Sequence, residues 1–289
     1  MPSSPLHAPV LEWYAGNARD LPWRSPGTTA WGVLVSEVML QQTPVARVEP
    51  VYRAWLERWP TPAALARDPA GEAVRAWGRL GYPRRALRLH AAATEVVARN
   101  DGRLPTSYAG LRALPGVGDY TAAAVASFAH GARHAVLDTN VRRVLARAVG
   151  GTEQPAPALT AAERVRAEAL LPDESAVAAR WAVAVMELAA LVCTARTPRC
   201  GGCPVAARCA WRLAGAPAYE GPARRVQPFA GTDRQVRGLL MAVLRDRPGP
   251  ADAAELATVW PDAVQRHRSL DGLVADGLLI EDAGSYRLP

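Results

Sequence analysis

The chain has four cysteines, and all of them lie within one stretch of seventeen residues. Their spacing is C-x6-C-x2-C-x5-C, so four thiolates can converge on one metal centre from a compact loop that follows a helix ending near Val192. Structural zinc sites more often pair two C-x2-C segments, and only one such segment occurs here. The pattern therefore favours an iron-sulfur cluster, with zinc as the alternative. The ligands would be Cys193, Cys200, Cys203 and Cys209.

Two carboxylates, Glu37 and Asp138, have sequence surroundings that suit acid catalysis. Glu37 lies within the apolar run 33–40, where burial would raise its pKa and leave a partly protonated general acid. The alternative is a solvent-facing glutamate on an amphipathic helix. Asp138 precedes an apolar helical pattern and is predicted to be the N-cap of that helix, where the dipole favours its ionised form. Such a pair could protonate a leaving group and stabilise an oxocarbenium-like sugar.

Residues 114–118 read Leu-Pro-Gly-Val-Gly between two helical patterns, the first ending at Leu114 and the second beginning at Asp119 or Tyr120. Two glycines permit a tight turn and let backbone N–H groups approach a phosphate at the following helix N-terminus. The segment predicts a sequence-independent grip on DNA, with an ordinary helix-helix turn as the alternative. The gripping residues would be Pro115, Gly116, Val117 and Gly118.

Charge and composition indicate the kind of partner and the cellular compartment to expect. The net charge is +7 and the pI about 9.7, which suits a polyanion, and all 34 basic residues are arginines, so no side-chain amine can act as a nucleophile. The N-terminus lacks a signal-peptide pattern, and no apolar run is long enough to span a membrane. We therefore expect a cytoplasmic protein, nucleoid-associated if it is bacterial, in which cysteines bind metal rather than form disulfides.

The elements that must position these residues are helices. Residues 33–213 show successive helical patterns without a convincing alternating strand, so this part is predicted to be all-α. Residues 214–232 have the composition of a linker. Residues 233–289 predict helices at 233–245, 251–259 and 262–275, then a hairpin whose strands, 278–280 and 286–288, flank 282–285. Three helices and a hairpin resemble a winged-helix unit.

The cysteine spacing resembles the cluster loop of the endonuclease III and MutY branch of helix-hairpin-helix DNA glycosylases. SEVMLQQT (36–43), LGY (80–82), LPGVG (114–118) and LDTNV (137–141) follow in the order typical of MutY-type adenine DNA glycosylases. The resemblance covers about residues 11–213. It implies a two-lobed all-α fold and a structural 4Fe-4S cluster. The implied divisions are a cluster lobe (1–24 and 139–213), a six-helix barrel lobe with the helix-hairpin-helix (25–138), a linker (214–232) and a winged-helix-like α+β unit (233–289).

The resemblance also implies a reaction and its acid groups. A monomer would bind double-stranded DNA and remove adenine mispaired with 8-oxoguanine or guanine. Glu37 would protonate the flipped adenine at N7 and Asp138 would stabilise the cationic sugar, with Tyr120 and Asn140 as auxiliary residues.

Further positions follow from the same resemblance. Gln42 and Tyr82 look like the wedges that enter the base stack and offset the cost of flipping. The cluster loop would face phosphates with Arg196, Arg199, Arg208 and Arg212. The adenine pocket would be lined by Trp23, Arg24, Leu40 and Glu187, although Trp23 and Leu40 suit an ordinary core equally well.

The chain departs from the family pattern at several points. Tyr120 stands where bifunctional members carry the Schiff-base lysine, and the chain has no lysine, so we expect a monofunctional glycosylase. Pro83 replaces the second tyrosine after LGY, and Thr139 replaces the commoner glycine between Asp138 and Asn140.

The C-terminal part departs as well. Only 76 residues follow Leu213, too few for the Nudix-like domain that reads 8-oxoguanine. We hypothesise that this part contacts DNA through Arg266 and Arg268.

Two other functions stay open on this evidence. One is a thymine or uracil mismatch glycosylase of the same fold. The other is a non-catalytic iron-sulfur DNA-binding regulator, which the winged-helix-like pattern and the basic charge suggest. Glu37 and Asp138 argue against the regulator, because a protein that only binds a polyanion gains nothing from two acids facing it.

Overall fold

Short helices bounded by proline, glycine and capping residues make up most of the chain, in agreement with the successive helical patterns of residues 33–213. A computed structural model describes residues 4–221 and 229–289. Residues 222–228, part of the predicted linker, lie outside the described residues. In the described ranges no helix is long and apolar enough to cross a bilayer. The helices are α1 His7–Asn17, α2 Ala30–Leu40, α3 Val45–Arg58, α4 Pro62–Arg67, α5 Ala70–Trp77, α6 Arg84–Arg99, α7 Tyr108–Arg112, α8 Asp119–His130, α9 Thr139–Ala148, α10 Ala161–Ala169, α11 Ser175–Leu191, α12 Ala210–Leu213, α13 Asp233–Arg245, α14 Ala253–Ala257 and α15 Ala263–Ala275.

The chain forms two compact units. The first comprises Met1–Val33, Thr106–Ala113 and Val117–Pro222. Its core is built by α1 and α9 packing against α11, with α12 against α9. Apolar side chains at helical spacing fill this core and the cluster loop closes over it. The buried residues include Val10, Val144, Leu145, Trp181, Val185, Leu188 and Val205.

The second unit comprises Leu34–Pro105, Leu114–Gly116 and Ala223–Pro289. Helices α4 and α5 pack against α6. The buried Trp55 ring meets Trp59 and Trp77 edge-to-face, at centroid distances of 4.7 and 5.7 Å. The predicted lobe boundaries stay predictions.

Residues 233–289, here called the C-terminal module, contain a small antiparallel sheet. Its strands are β1 Ala251–Asp252, β2 Ile280–Asp282 and β3 Ser285–Arg287, in the order β1-β3-β2. The predicted helix 251–259 is wrong at its start: Ala251 pairs with Tyr286, and Asp252 caps α14 by accepting from the Glu255 N–H. The predicted helices at 233–245 and 262–275 are confirmed, the latter with Asp262 as its cap.

A hairpin forms at the predicted place, but its first strand lies two residues later, at 280–282, its second lies one residue earlier, at 285–287, and its turn is shorter. Ala283 and Gly284 have φ values of 48° and 81°, as a two-residue type I′ turn requires. The four-residue turn at 282–285 was therefore too long, because Asp282 and Ser285 pair with each other. The fold is mostly helical with one small sheet; the winged-helix assignment stays a prediction.

The C-terminal module packs against α5 and α6 within the second unit. Arg75 on α5 donates to the carbonyl groups of Leu244, Arg245 and Arg247 at the end of α13. The Gly71 N–H donates to the Pro289 carbonyl group, and a Cβ at Gly71 would overlap that oxygen. At the start of α6, Arg84 pairs with Asp276 at 3.1 Å.

Candidate functional site

Glu37 is buried on α2, with 5% of its surface exposed. Its neighbours in the helix are buried as well, so the helix lacks the polar face that a solvent-facing glutamate needs. The solvent-facing alternative is therefore wrong. Leu40, at the end of the same helix, is half-buried.

Asp138 is the N-cap of α9, as predicted. Its Oδ1 accepts from the Val141 N–H at 2.6 Å, and its Oδ2 accepts from the Asn140 amide at 2.8 Å. The side chain is half-buried at the positive end of the helix dipole. Asn140 thus orients the second oxygen, while the backbone fixes the first.

Arg143 extends this contact towards the cysteine loop. It donates to the Asn140 side-chain oxygen at 3.0 Å and to the Cys193 carbonyl group at 2.9 Å. One turn later, the fully buried Arg147 donates to the Cys193 sulfur at 3.4 Å and to the Thr194 carbonyl group at 2.7 Å. The sequence analysis missed both residues. Their spacing, four residues apart on an apolar helix, was the available signal.

The four cysteines are half-buried free thiols on the loop after α11, which ends at Leu191 as predicted. Burial raises the pKa of the Cys203 thiol, an N–H of Val205 lowers it, and the other three cysteines raise it further. The other three thiols therefore lie close enough to Cys203 to influence its pKa. Among the described residues, no three His, Cys, Asp or Glu side chains are arranged to hold a single metal ion. The four loop arginines, 196, 199, 208 and 212, are all exposed.

The segment 114–118 forms a tight connection between α7 and α8. Gly116 has a φ of 75°, and a Cβ there would come within 2.6 Å of the Arg88 Cβ, so only glycine fits. Val117 is buried, whereas Pro115 and Gly118 are exposed before the N-terminus of α8. Helix α7 ends at Arg112 rather than at the predicted Leu114, because a residue before proline disfavours helical backbone.

An acidic residue follows this connection. Asp119, in the first turn of α8, accepts from Arg112 at 2.6 Å and from Arg164 at 3.2 Å. The hydrogen bond from Arg112 lowers the pKa of this exposed carboxyl, and Arg164 lowers it further. Two arginines therefore offset a negative charge that directly follows the exposed Gly118. These two ion pairs of Asp119 were not predicted from the sequence.

Glu187 is completely buried and pairs with two arginines. Its Oε1 accepts from Arg19 at 2.7 Å and its Oε2 accepts from Arg24 at 2.9 Å. Burial raises the pKa of the Glu187 carboxyl, but the hydrogen bonds and charges of the two arginines outweigh it, and the pKa lies below its ordinary value. Arg19 was missed by the sequence analysis. Trp23 is buried beside Arg24 in a short 3-10 helix.

Gln42 and Tyr82 share two unusual properties. Both have left-handed backbone, with φ values of 55° and 48°, and both side chains are exposed, Tyr82 by 55%. Left-handed backbone in residues other than glycine costs energy and is concentrated at functional sites. Tyr120 differs from them, because it is half-buried against Ala123, Val136 and their apolar neighbours.

The structure brings together Asp138 with Asn140 and Arg24 with Glu187, and the four cysteines lie on the loop after α11. Glu37, Gln42 and Tyr82 belong to the second unit, and the other predicted catalytic and base-pocket residues, apart from Leu40, belong to the first.

Two protein-family models match parts of this chain. The family model of the HhH-GPD superfamily of base excision DNA repair proteins matches residues 35–168. A second model, the iron-sulfur binding domain of endonuclease III, matches residues 193–209, from the first cysteine to the last. Neither model covers the C-terminal module.

Relatives with assigned activities extend these matches. Adenine DNA glycosylases of Mycolicibacterium smegmatis and Mycobacterium tuberculosis are 54% and 50% identical, over 95% and 97% of this chain and 92% of theirs. A thymine/uracil-DNA glycosylase of Pyrobaculum aerophilum is 37% identical over 68% of this chain and 86% of its own length. The solved structure of a thermostable thymine-DNA glycosylase matches with a TM-score of 0.65 and 27% identity, covering 72% of this chain and 94% of that one.

Proposed function

The chain belongs to the adenine DNA glycosylases of the HhH-GPD superfamily, and we propose that it hydrolyses the N-glycosidic bond of adenine mispaired with 8-oxoguanine or guanine. It leaves the sugar-phosphate strand intact. Glu37 and Asp138 carry the reaction, with Asn140 and Tyr120 in supporting roles.

The geometry of Asp138 is the observation that carries this proposal. One oxygen accepts from the Val141 N–H and the other from the Asn140 amide, so the positions of both oxygens are fixed. The carboxylate is half-buried. A carboxylate at a helix N-terminus is suited to stabilise the positive charge that develops on the sugar as the base leaves. Hydrogen bonds that are already formed need no reorganisation in the transition state.

Glu37 supplies the acid in this scheme. Burial disfavours the charged form of a carboxyl group and so favours one that holds a proton for the leaving base. In the proposed reaction Glu37 protonates adenine at N7 and the glycosidic bond breaks, with its electron pair going to the base. Water then adds to the sugar cation and gives up a proton, which restores the protonated Glu37. Two carboxyl groups in contrasting environments thereby divide the roles of acid and electrostatic partner.

The cysteine loop is suited to a 4Fe-4S cluster. Cys193, Cys200, Cys203 and Cys209 would hold it, and when bound it supplies a structural cross-link rather than a reacting group. The loop exposes four arginines that suit contacts with phosphates. The exposed residues of the Gly116 turn would provide a second contact to the DNA backbone through their N–H groups.

Strand cleavage is not part of the proposed activity. The lyase reaction of related enzymes needs a lysine amine, and Tyr120 occupies the corresponding position in a chain without lysine. Treatment of a reacting mixture with borohydride should therefore trap no protein-DNA adduct, whereas a bifunctional enzyme run in parallel should give one. Efficient trapping would show that another amine takes the role.

Thymine or uracil removal is the second candidate. It is favoured by the 37% identity to the Pyrobaculum aerophilum thymine/uracil-DNA glycosylase over most of that protein. A pocket built for adenine and one built for a pyrimidine differ in the hydrogen bonds that they offer, so the two activities separate strongly in rate.

One assay distinguishes the candidates. Single-turnover rates would be measured on duplexes with A:8-oxoguanine, A:G, T:G and U:G, with Glu37→Gln and Asp138→Asn as inactive controls. We expect release of adenine alone, fastest opposite 8-oxoguanine. Release of thymine or uracil would favour the second candidate, and release of no base from any duplex would reject both.

A further inference from the structure

Arg85 is a buried arginine that the proposed chemistry does not use. It lies in the first turn of α6 with 5% of its surface exposed. Its guanidinium stacks over the Trp77 ring at 5.1 Å and lies 5.6 Å from the Tyr82 ring. Burial lowers the pKa of Arg85 to about 10, so the group is still charged at neutral pH. A buried charge is costly unless hydrogen bonds and paired charges compensate for the lost water.

The partners of Arg85 lie in the last turn of α2, in the loop that follows α2 and in the loop before α6. One terminal nitrogen donates to the carbonyl groups of Val38, Met39 and Gln41, at 2.8, 3.0 and 2.6 Å. The other donates to the Thr43 hydroxyl and to the Gly81 carbonyl group, both at 3.0 Å. All five acceptors are uncharged, and the Nε is buried without a partner among the described residues.

These contacts surround Gln42 and Tyr82. Gln41 and Thr43 are the neighbours of Gln42, and Gly81 immediately precedes Tyr82. Both central residues have left-handed backbone and exposed side chains. A strained conformation persists only when surrounding contacts fix it, and here one planar guanidinium provides contacts to both loops.

We propose that Arg85 is a positioning residue that couples the Gln42 and Tyr82 loops, so that both side chains enter the base stack as one rigid pair. This inference rests on the proposed function, because it assumes that the two residues act as wedges. It assigns Arg85 no contact with substrate. An arginine suits this position because its planar guanidinium holds several N–H donors in a fixed fork, which reaches acceptors in both loops. A lysine ammonium is a point charge and has no such fork.

The test variant is Arg85→Lys, which keeps the charge and removes the fork. The control is Arg99→Lys on the same helix, where the arginine is exposed and pairs with Glu95 at 2.9 Å. Adenine release would be measured on a duplex with adenine opposite 8-oxoguanine and on the same sequence with adenine in a bulge. The bulged adenine lacks a partner, so it needs less help from wedges.

We expect Arg85→Lys to slow release from the duplex by about tenfold or more, and from the bulge by less than about threefold. Arg99→Lys should stay within about twofold of the unmodified protein on both substrates. In a Gln42→Ala/Tyr82→Ala background, Arg85→Lys should add less than about twofold, because coupled residues give non-additive effects. An equal loss on both substrates, or a full additional loss in the double-alanine background, would overturn the proposal.

Two further measurements keep the test decisive. If Arg85→Lys fails to fold, Thr43→Val removes one acceptor with little change of shape, and the same substrate dependence is expected at about threefold. If the unmodified protein releases no adenine, the proposed function fails, but coupling is still measured by 2-aminopurine fluorescence at the target position. The fluorescence increase on binding should then be smaller for Arg85→Lys than for Arg99→Lys, and equal increases contradict the coupling.

Discussion

The residues before the C-terminal module and the module itself differ in charge and in the use of their arginines. Residues 1–232 carry 27 arginines against 18 carboxylates, whereas residues 233–289 carry seven against nine. In the module, Arg237, Arg247 and Arg268 pair with Asp276, Glu255 and Asp233. The loop arginines of the first region are exposed. Residues 1–232 therefore carry the charge that attracts a polyanion, and the module uses its arginines largely for its own fold.

The contacts of the module point to a structural task. Arg75 and Gly71 on α5, and Arg84 on α6, all bind it. These two helices flank the loop that carries Tyr82. The comparison thus separates the region to which we assign catalysis and DNA contact from a module that supports two of its helices. Four matched pairs of substitutions test this separation.

The largest effect is expected from two helix N-caps. Asp138 caps α9, and Asp262 caps α15 by accepting from the Gln265 N–H at 3.0 Å. Asparagine caps a helix about as well as aspartate, so both Asp→Asn variants should keep their stability. Because only Asp138 faces the developing charge in our proposal, Asp138→Asn should lower the single-turnover rate by about a hundredfold or more. Asp262→Asn should leave it unchanged, and equal rates for the two variants would remove Asp138 from the mechanism.

The second pair concerns the junction between α5 and the module. Gly71→Ala places a Cβ against the Pro289 carbonyl oxygen, whereas a Cβ at Gly238 on α13 meets nothing within 4 Å. Overpacking costs about 1–3 kcal/mol, while alanine at an open helical position stabilises by about 0.5–1 kcal/mol. Gly71→Ala should thus lower the midpoint of thermal unfolding and raise hydrogen exchange in the module. Gly238→Ala should raise the midpoint; a similar change in both variants would show that the junction is not tightly packed.

The third pair compares a buried with an exposed carboxylate. The pKa of Glu187 lies below its ordinary value, and the hydrogen bond from Arg268, followed by that from Gln265, lowers the pKa of Asp233 to about 2. A carboxyl whose pKa falls on folding stabilises the protein above its unfolded pKa of about 4, and this contribution is lost as pH falls through the folded value. The acid-side loss of stability should therefore shrink in Glu187→Gln.

Glu187→Gln should also cost about 1–3 kcal/mol of unfolding free energy at pH 7, because Arg19 and Arg24 lose their charged partner. Asp233→Asn should have a much smaller effect, since its ion pair is exposed to solvent. Urea unfolding between pH 3 and pH 7 measures both variants. A larger loss for Asp233→Asn would reverse the ranking of the two ion pairs.

Local patterns predicted most of the elements and several site residues. The Asp138 cap, the cysteine loop after α11 and the Gly116 turn depend on residues close in the chain, and all three form at the predicted places. Contacts between distant segments were not predicted. Arg19 meets Glu187 across 168 positions, and Ala251 joins β3 only because the hairpin folds back onto it. The partners of Arg85 were also missed, because backbone carbonyl acceptors leave no mark in a sequence.

The smallest effect concerns the salt dependence of DNA binding. Arg196 is exposed on the cysteine loop, whereas Arg268 donates twice to Asp233, at 2.8 and 2.7 Å. Each phosphate contact contributes about one unit to the slope of log affinity against log salt. Arg196→Gln should therefore reduce the slope by about one unit, with the same decrease for every DNA sequence. Arg268→Gln should leave the slope unchanged, since its charge is already paired. A reduced slope in Arg268→Gln would instead support the prediction that the module contacts DNA through Arg266 and Arg268. It would contradict a purely structural role of the module.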